Sequence, residues 1–210
     1  MTRRVAALIV LALAVAGCGS GGSGDHLSTR DVSQQLHGAI PSQRSVKPQL
    51  TLTDTAGHPY DLRKQTQGKV TLLYFGYTHC PDECPTSMAD VATALRKVGP
   101  DVARQVAVVF VTTDPWRDKR HVLRAWLDRF SPSFVGLTGT PAQIAGAEVE
   151  MGMPVSKREP AKKSDHVGRY AVAHFAAVMV YGRDNRLTTL YPSGVAPTDI
   201  AADLPVLVKG

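Results

Sequence analysis

Six residues, Cys80-Pro81-Asp82-Glu83-Cys84-Pro85, constrain this chain more than any other stretch. An apolar, strand-like run precedes them, Val70-Thr71-Leu72-Leu73-Tyr74-Phe75. A helical pattern follows, with Met88, Val91, Ala92, Leu95 and Val98 at three- and four-residue spacing. The two cysteines therefore fall where a buried strand turns into a helix. A helix N-terminus presents unpaired backbone N–H groups and about half a positive charge. That setting stabilises a thiolate, the form of cysteine that acts as nucleophile and as metal ligand. Pro85 suits a first helical turn, where a missing N–H is harmless.

Further apolar runs extend the pattern. Residues 106–111 read as a second buried strand, ending in Thr112-Thr113-Asp114-Pro115. Val122, Leu123, Trp126, Leu127 and Phe130 mark one face of a following helix, with Trp126 in the core and Asp118 as its cap. Residues 133–137 suggest a third parallel strand. Thr140-Pro141-Ala142-Gln143 has the cap, proline and back-reaching glutamine of a helix start. Residues 151–165 are polar and read as an exposed loop or edge hairpin. Residues 175–181 form an apolar strand, Gly182-Arg183-Asp184-Asn185 a hairpin turn, and residues 197–208 a closing helix. Ahead of all this, residues 49–53 alternate as a strand and residues 60–62 return as a second. Strands alternating with helices predict an α/β fold: a mixed central sheet, helices on both faces and an N-terminal hairpin extension. Open α/β sheets place function at the carboxyl ends of their strands, where the cysteines lie.

The N-terminus reads differently. Arg3 and Arg4 form a charged start, and residues 5–15 are apolar but too few to span a bilayer. Val15-Ala16-Gly17-Cys18 resembles a bacterial lipobox, in which cleavage leaves Cys18 as a lipid-modified first residue. Residues 1–18 are thus expected to be a lipoprotein signal segment. Residues 19–47, opening on Gly19-Ser20-Gly21-Gly22-Ser23-Gly24, are expected to be a flexible linker with solvated His26 and His37. The folded domain is expected over residues 48–210. The net charge of +6 is scattered, with no dense Lys/Arg block. It suits a solvated surface near an anionic membrane, and nucleic acid is not an expected partner.

Two cysteines separated by three residues can close a disulfide or converge on one soft metal ion, and the spacing does not separate these uses. A third ligand would come from His79, His166 or His174. His79 adjoins Cys80 and is expected to tune the site or face solvent. His166 lies in the polar loop. His174 opens an apolar strand, where an unpartnered histidine is costly. Alone it would be a satisfied core histidine; beside a dithiol motif it becomes the candidate third ligand. Two thiolates and an imidazole suit copper, as Cu(I) or Cu(II), with zinc possible given a fourth ligand.

At these residues the chain resembles the Sco/SenC family of copper-handling proteins, which have a thioredoxin-like fold. Phe75-Gly76-Tyr77-Thr78-His79-Cys80-Pro81-Asp82-Glu83-Cys84-Pro85-Thr86 resembles the family's central motif. Asp114-Pro115-Trp116-Arg117-Asp118 resembles a second, and Phe130-Ser131-Pro132-Ser133-Phe134-Val135-Gly136-Leu137-Thr138-Gly139 a third. The resemblance implies copper ligands at Cys80, Cys84 and His174, with the two cysteines also a redox pair able to form a disulfide bond. It implies a membrane-anchored, extracytoplasmic copper chaperone whose acceptor is the copper subunit of cytochrome c oxidase. The alternative is a thiol–disulfide oxidoreductase in which Cys80 attacks and Cys84 resolves. Peroxide reduction ranks below both. The chain departs from the family at Ala173, where an aspartate often precedes the distal histidine, so a carboxylate that could orient the ring is absent. Asp114 and Asp118 are expected to make turn and cap hydrogen bonds, not metal bonds.

Overall fold

The computed structural model describes residues 35–160 and 170–210. The leader, Cys18, the glycine-rich stretch, His26 and His166 lie outside the described residues. In chain order the elements are β1 (Thr51–Asp54), β2 (Pro59–Asp61), α1 (Leu62–Gln65), β3 (Val70–Gly76), α2 (Glu83–Val98), α3 (Pro100–Ala103), β4 (Val106–Thr112), α4 (Arg120–Asp128), β5 (Val135–Thr138), α5 (Pro141–Glu150), β6 (Lys157–Pro160), β7 (Tyr170–Ala173), β8 (Ala177–Tyr181), β9 (Leu187–Pro192) and α6 (Pro197–Lys209). A seven-stranded sheet runs β2-β1-β5-β4-β3-β8-β9. Its centre, β5-β4-β3, is parallel, while β1, β8 and β9 pair antiparallel. β6 and β7 form a separate two-stranded ribbon.

Strand periodicity explains why both faces are covered. Successive side chains of a strand point to opposite faces. Val70, Leu72 and Tyr74 of β3 join Val108 and Phe110 of β4 on one face, packed with Met88 and Val91 of α2, Trp126 of α4 and Leu204 of α6. Leu73, Phe75, Val109 and Val111 face the other way, against Leu62 of α1 and Ile144 of α5. With both faces in use, all seven residues of β3 are buried. The fold is the expected α/β arrangement with its N-terminal hairpin, β1-β2.

Local chemistry sets the element ends. Thr140 and Gln143 form the expected capping box: Gln143 N donates to Thr140 Oγ1 (3.2 Å) and Thr140 N donates to Gln143 Oε1 (2.8 Å). α2 stops at Gly99, whose φ of 78° favours glycine, and Pro100 starts the short α3. Asp118 is not the cap of α4. Lys119 holds that position without a side-chain bond, because the Asp118 carboxylate is turned inward.

The expected linker ends before residue 47. Residues 35–47 run beside β9, with bridges Ala39–Leu190 and Val46–Arg186. His37, expected to be free in solvent, keeps its side chain half exposed but is clasped by the buried Asp203. Its backbone N–H donates to that carboxylate (3.0 Å) and its Nδ1 lies 2.6 Å from it. Tyr191 O–H donates to the same group at 2.9 Å. A polar, weakly periodic segment gave no sign of these partners, which lie about 150 residues downstream in sequence.

Lys47 closes this strap. Its side chain is fully buried, and Nζ donates to Thr66 Oγ1 (2.6 Å) and Thr71 Oγ1 (3.0 Å). Burial, aided by the Arg63 charge, lowers its pKa from 10.5 to about 8. Below pH 8 both folded and unfolded chains carry this proton. Between pH 8 and 10.5 only the unfolded chain does, so the lysine's contribution makes stability rise with pH in that window. The gain has a ceiling of about 3 kcal/mol. Urea unfolding at pH 7.5 and 10 should show Lys47→Met lacking this increment relative to the parent; equal pH slopes would contradict it.

Candidate metal site

The carboxyl end of β3 delivers the chain directly into the cysteine loop, and α2 begins inside the motif. Asp82 is the N-cap position, so Cys84 stands in the first turn and Cys80 in the loop ahead of it. Cys84 is buried and Cys80 half-buried; both are free thiols. Cys84 N donates to Cys80 Sγ at 3.5 Å, so one unpaired helix N-terminal amide serves the outer sulfur.

His174 arrives from the separate β6-β7 ribbon, whose Tyr170 and Val172 pack with Tyr74 and Cys84. It does not sit within a continuous strand. It follows β7 in the three-residue break before β8. This break lets the ribbon leave the main sheet and carries the ring over the loop. Nε2 lies 3.4 Å from Cys84 Sγ. The ring stands edge-on to Tyr77 (centroids 5.6 Å apart) and Tyr74 (6.0 Å). One ligand atom from each of Cys80, Cys84 and His174 falls within 4.8 Å of the others. The rim adds Pro81, Asp82, Glu83, Val172 and Ala173 to a cleft of about 380 Å³.

Two sulfurs and an imidazole nitrogen are a soft donor set that could hold a copper ion. A sulfur–nitrogen gap of 3.4 Å also fits one ion bonded to both at about 2.0 to 2.3 Å. The other ring nitrogen, Nδ1, is buried and has no hydrogen-bond partner among the described residues. Ala173, where a carboxylate could have met it, is exposed. No partner on Nδ1 among the described residues fixes the tautomer, and Nε2 is the nitrogen turned toward the sulfurs.

The cysteines differ in charge. Cys80 is lowered to about 4, first by the hydrogen bond from the Cys84 thiol, then by His174 and by the backbone N–H groups of Cys84 and Asp82. Cys84 moves upward, first because it is buried and then because Cys80 beside it is the thiolate. The expectation that the helix start would ionise both sulfurs thus holds for one. The amide field reaches Cys80, while Tyr74, Met88 and the strand floor exclude water from Cys84. In the reduced, metal-free protein, alkylation of Cys80 should be nearly pH-independent from pH 5 to 8, because the thiolate is already formed. Cys84 should stay unlabelled over that range. A Cys80 rate climbing about tenfold per pH unit would reject the assignment.

His79 does not join the cluster. Its Nδ1 is 3.0 Å from Thr78 Oγ1 and 3.6 Å from the Asp118 carboxylate, and its side chain is 43% exposed. Asp114 and Asp118 are fully buried and hydrogen-bonded, away from the sulfurs. Sequence reasoning missed the packing roles of Gly76, Tyr74 and Tyr77. Their signal was the aromatic-glycine run entering the motif, Tyr74-Phe75-Gly76-Tyr77.

The chain is similar to known proteins along most of its length. A family model described as SCO1/SenC matches residues 39–209. A "Putative copper-binding protein" of Stutzerimonas stutzeri is 30% identical over 148 residues, 70% of this chain and 69% of that protein. The copper-bound structure of Bradyrhizobium japonicum ScoI is 33% identical with a TM-score of 0.66, covering 78% of this chain and 99% of that one. Apo Sco1 from Thermus thermophilus is also 33% identical, with a TM-score of 0.69 over 82% of this chain and 96% of that one. BsSco, described as a member of the Sco family of cytochrome c oxidase assembly proteins, shares the fold at 18% identity and a TM-score of 0.61, over 81% of this chain and 98% of that one. Some curated relatives are longer: the matched region is 40% of the Arabidopsis thaliana mitochondrial SCO1 homolog 1 and 54% of the mouse mitochondrial SCO2 homolog. Among the described residues no helix is long and apolar enough to cross a membrane. With a thioredoxin-like fold shared along nearly the whole domain, and the family model matched from residue 39 to residue 209, the chain belongs to the SCO1/SenC family.

Proposed function

We propose that this protein is a membrane-anchored, extracytoplasmic copper carrier. Copper is its cargo: Cys80, Cys84 and His174 hold the ion and pass it by ligand exchange to an acceptor, the copper subunit of cytochrome c oxidase during assembly. The observation that supports this most is the convergence of three soft or borderline donor atoms within 4.8 Å, with Cys80 and His174 lining an open cleft and Cys84 buried behind them. An open mouth matters for a carrier, because an acceptor's ligands must reach the ion before the donor's let go. The lipobox-like sequence at Cys18 supports the anchor, and lipid on Cys18 in mature protein by mass spectrometry tests it.

The test of the carrier role is a copper titration of the reduced protein beside His174→Ala. The parent should bind one equivalent of Cu(I) or Cu(II), and the variant should lose Cu(II) far more than Cu(I), since imidazole favours the divalent ion and thiolates the monovalent one. Equal binding of both ions by the two proteins would remove His174 from the site.

The unequal cysteines favour a second reading, thiol–disulfide exchange on the acceptor. Cys80 is the more accessible, ionised attacker and Cys84 the buried thiol that resolves the mixed disulfide. Loss of oxidase assembly in Cys80→Ser, with assembly intact in His174→Ala, would favour exchange over carriage.

A further inference from the structure

The turn between β4 and α4 touches neither sulfur nor ring, yet it is bonded to both of the segments that carry them. Asp118 accepts from Thr78 N (2.9 Å), Thr78 Oγ1 (2.6 Å) and Thr112 Oγ1 (2.6 Å). Thr78 stands two residues before Cys80, so this carboxylate grips the root of the cysteine loop. Asp114, one turn away, accepts from Tyr170 O–H (2.9 and 3.1 Å to its two oxygens) and is paired with Arg117 Nε. Arg117 Nη1 donates to the Tyr170 carbonyl (3.0 Å), and its guanidinium lies 3.7 Å from the Tyr170 ring centre. Tyr170 opens β7, the strand that ends beside His174. The two arms are joined at the turn itself, where Asp118 N donates to Asp114 O (2.9 Å) and Asp114 N donates to Thr112 Oγ1 (3.0 Å). Both carboxylates are fully buried.

We propose that Asp114 and Asp118 form a two-armed bracket that sets the distance between the two halves of the metal site. Asp118 is the positioning residue for Cys80, through Thr78. Asp114 is the positioning residue for His174, through Tyr170 and Arg117. β7 needs such an anchor because, among the described residues, it pairs only with the exposed β6 and has no place in the seven-stranded sheet. Without the anchor the strand keeps its ribbon partner but loses its fixed height above the cysteine loop. The bracket rests on the copper reading above and makes the arms separable. Loosening the Asp114 arm withdraws imidazole and spares the sulfurs, so it should weaken Cu(II) and not Cu(I). Loosening the Asp118 arm moves a sulfur and should weaken both.

The test titrates Asp114→Asn, Tyr170→Phe, Asp118→Asn and His174→Ala, as reduced full-length protein, with Cu(I) and Cu(II). Electron paramagnetic resonance reports nitrogen coordination to Cu(II). Asp114→Asn and Tyr170→Phe should each weaken Cu(II) about 10- to 100-fold, the usual effect of removing a group that orients a ligand. Both should diminish the nitrogen signal and leave Cu(I) within about threefold. Because they remove opposite ends of one bond, the double variant should be no worse than the stronger single one. Asp118→Asn should weaken both ions. Tyr170→Phe carries the test if Asp114→Asn does not fold. A full nitrogen signal in Tyr170→Phe, or equal losses for Cu(I) and Cu(II) in both Asp114-arm variants, overturns the bracket while His174→Ala still loses Cu(II). If His174→Ala itself keeps Cu(II), the copper reading falls and the bracket with it.

Discussion

In Cys84→Ser protein, Cu(I) affinity is expected to fall by two orders of magnitude or more, roughly 3 kcal/mol. Cu(I) selects thiolate, and a serine hydroxyl keeps its proton and is a hard, weak donor. Among the described residues the site offers no replacement thiolate at this position, where Cys84 Sγ meets both Tyr74 and His174. Folding should survive the change. The new hydroxyl would lie against Tyr74 O–H and His174 Nε2, two groups able to bond with it, so it is not buried without a partner. A competition titration against a coloured Cu(I) chelator, run beside a thermal melt, reads both quantities. Tight Cu(I) binding in this variant would mean that the ion sits elsewhere.

Gly76→Ala should damage the site without touching a ligand. A Cβ at this position would come within 2.7 Å of Cys84 Sγ, 2.7 Å of Tyr74 Cε1 and 3.2 Å of Phe110 Cε2. Cys84, Tyr74 and Phe110 are all fully buried, so none can swing aside into solvent. Overpacking of this kind costs about 1–3 kcal/mol. The same methyl group pushes the inner sulfur away from His174, so Cu(I) and Cu(II) affinity should drop together with the melting temperature. An unchanged melt and unchanged titration would show that the strand end can relax. Gly76 also receives Thr113 N at its carbonyl (2.7 Å), which ties the end of β3 to the bracket turn and opposes such relaxation.

Much of this architecture was legible from local pattern. The run at residues 70–75 and the Thr140–Gln143 start each carry a physical signature confined to a few neighbours, and each appears where the sequence puts it. The cysteine loop was legible for the same reason: strand, motif and helix adjoin in sequence. His174 was not. Nothing in its neighbours distinguishes a ligand from a core histidine; the distant dithiol motif made it a candidate, and the family resemblance then matched it to a ligand position. The hydrogen bonds that Asp114 and Asp118 make to Tyr170, Thr78 and Thr112 escaped because those partners are 6 to 56 residues away. Lys47 misled for the opposite reason. A lysine beside a proline in a polar stretch looks like surface, and its burial depends on two threonine hydroxyls that only the folded sheet brings together.

The strap at residues 35–47 has a consequence for copies of the protein crowded together. It lies along β9, the outermost strand on that side of the sheet, with Leu187 N donating to Ser45 O (2.9 Å) and Leu190 N to Ala39 O (3.0 Å). A bare outermost strand offers its backbone to any neighbour of like sequence. Here the incoming polypeptide occupies those donors first. A fragment trimmed back to Pro48 would leave them open, and molecules packed side by side on a surface would then be free to zip together through that flank.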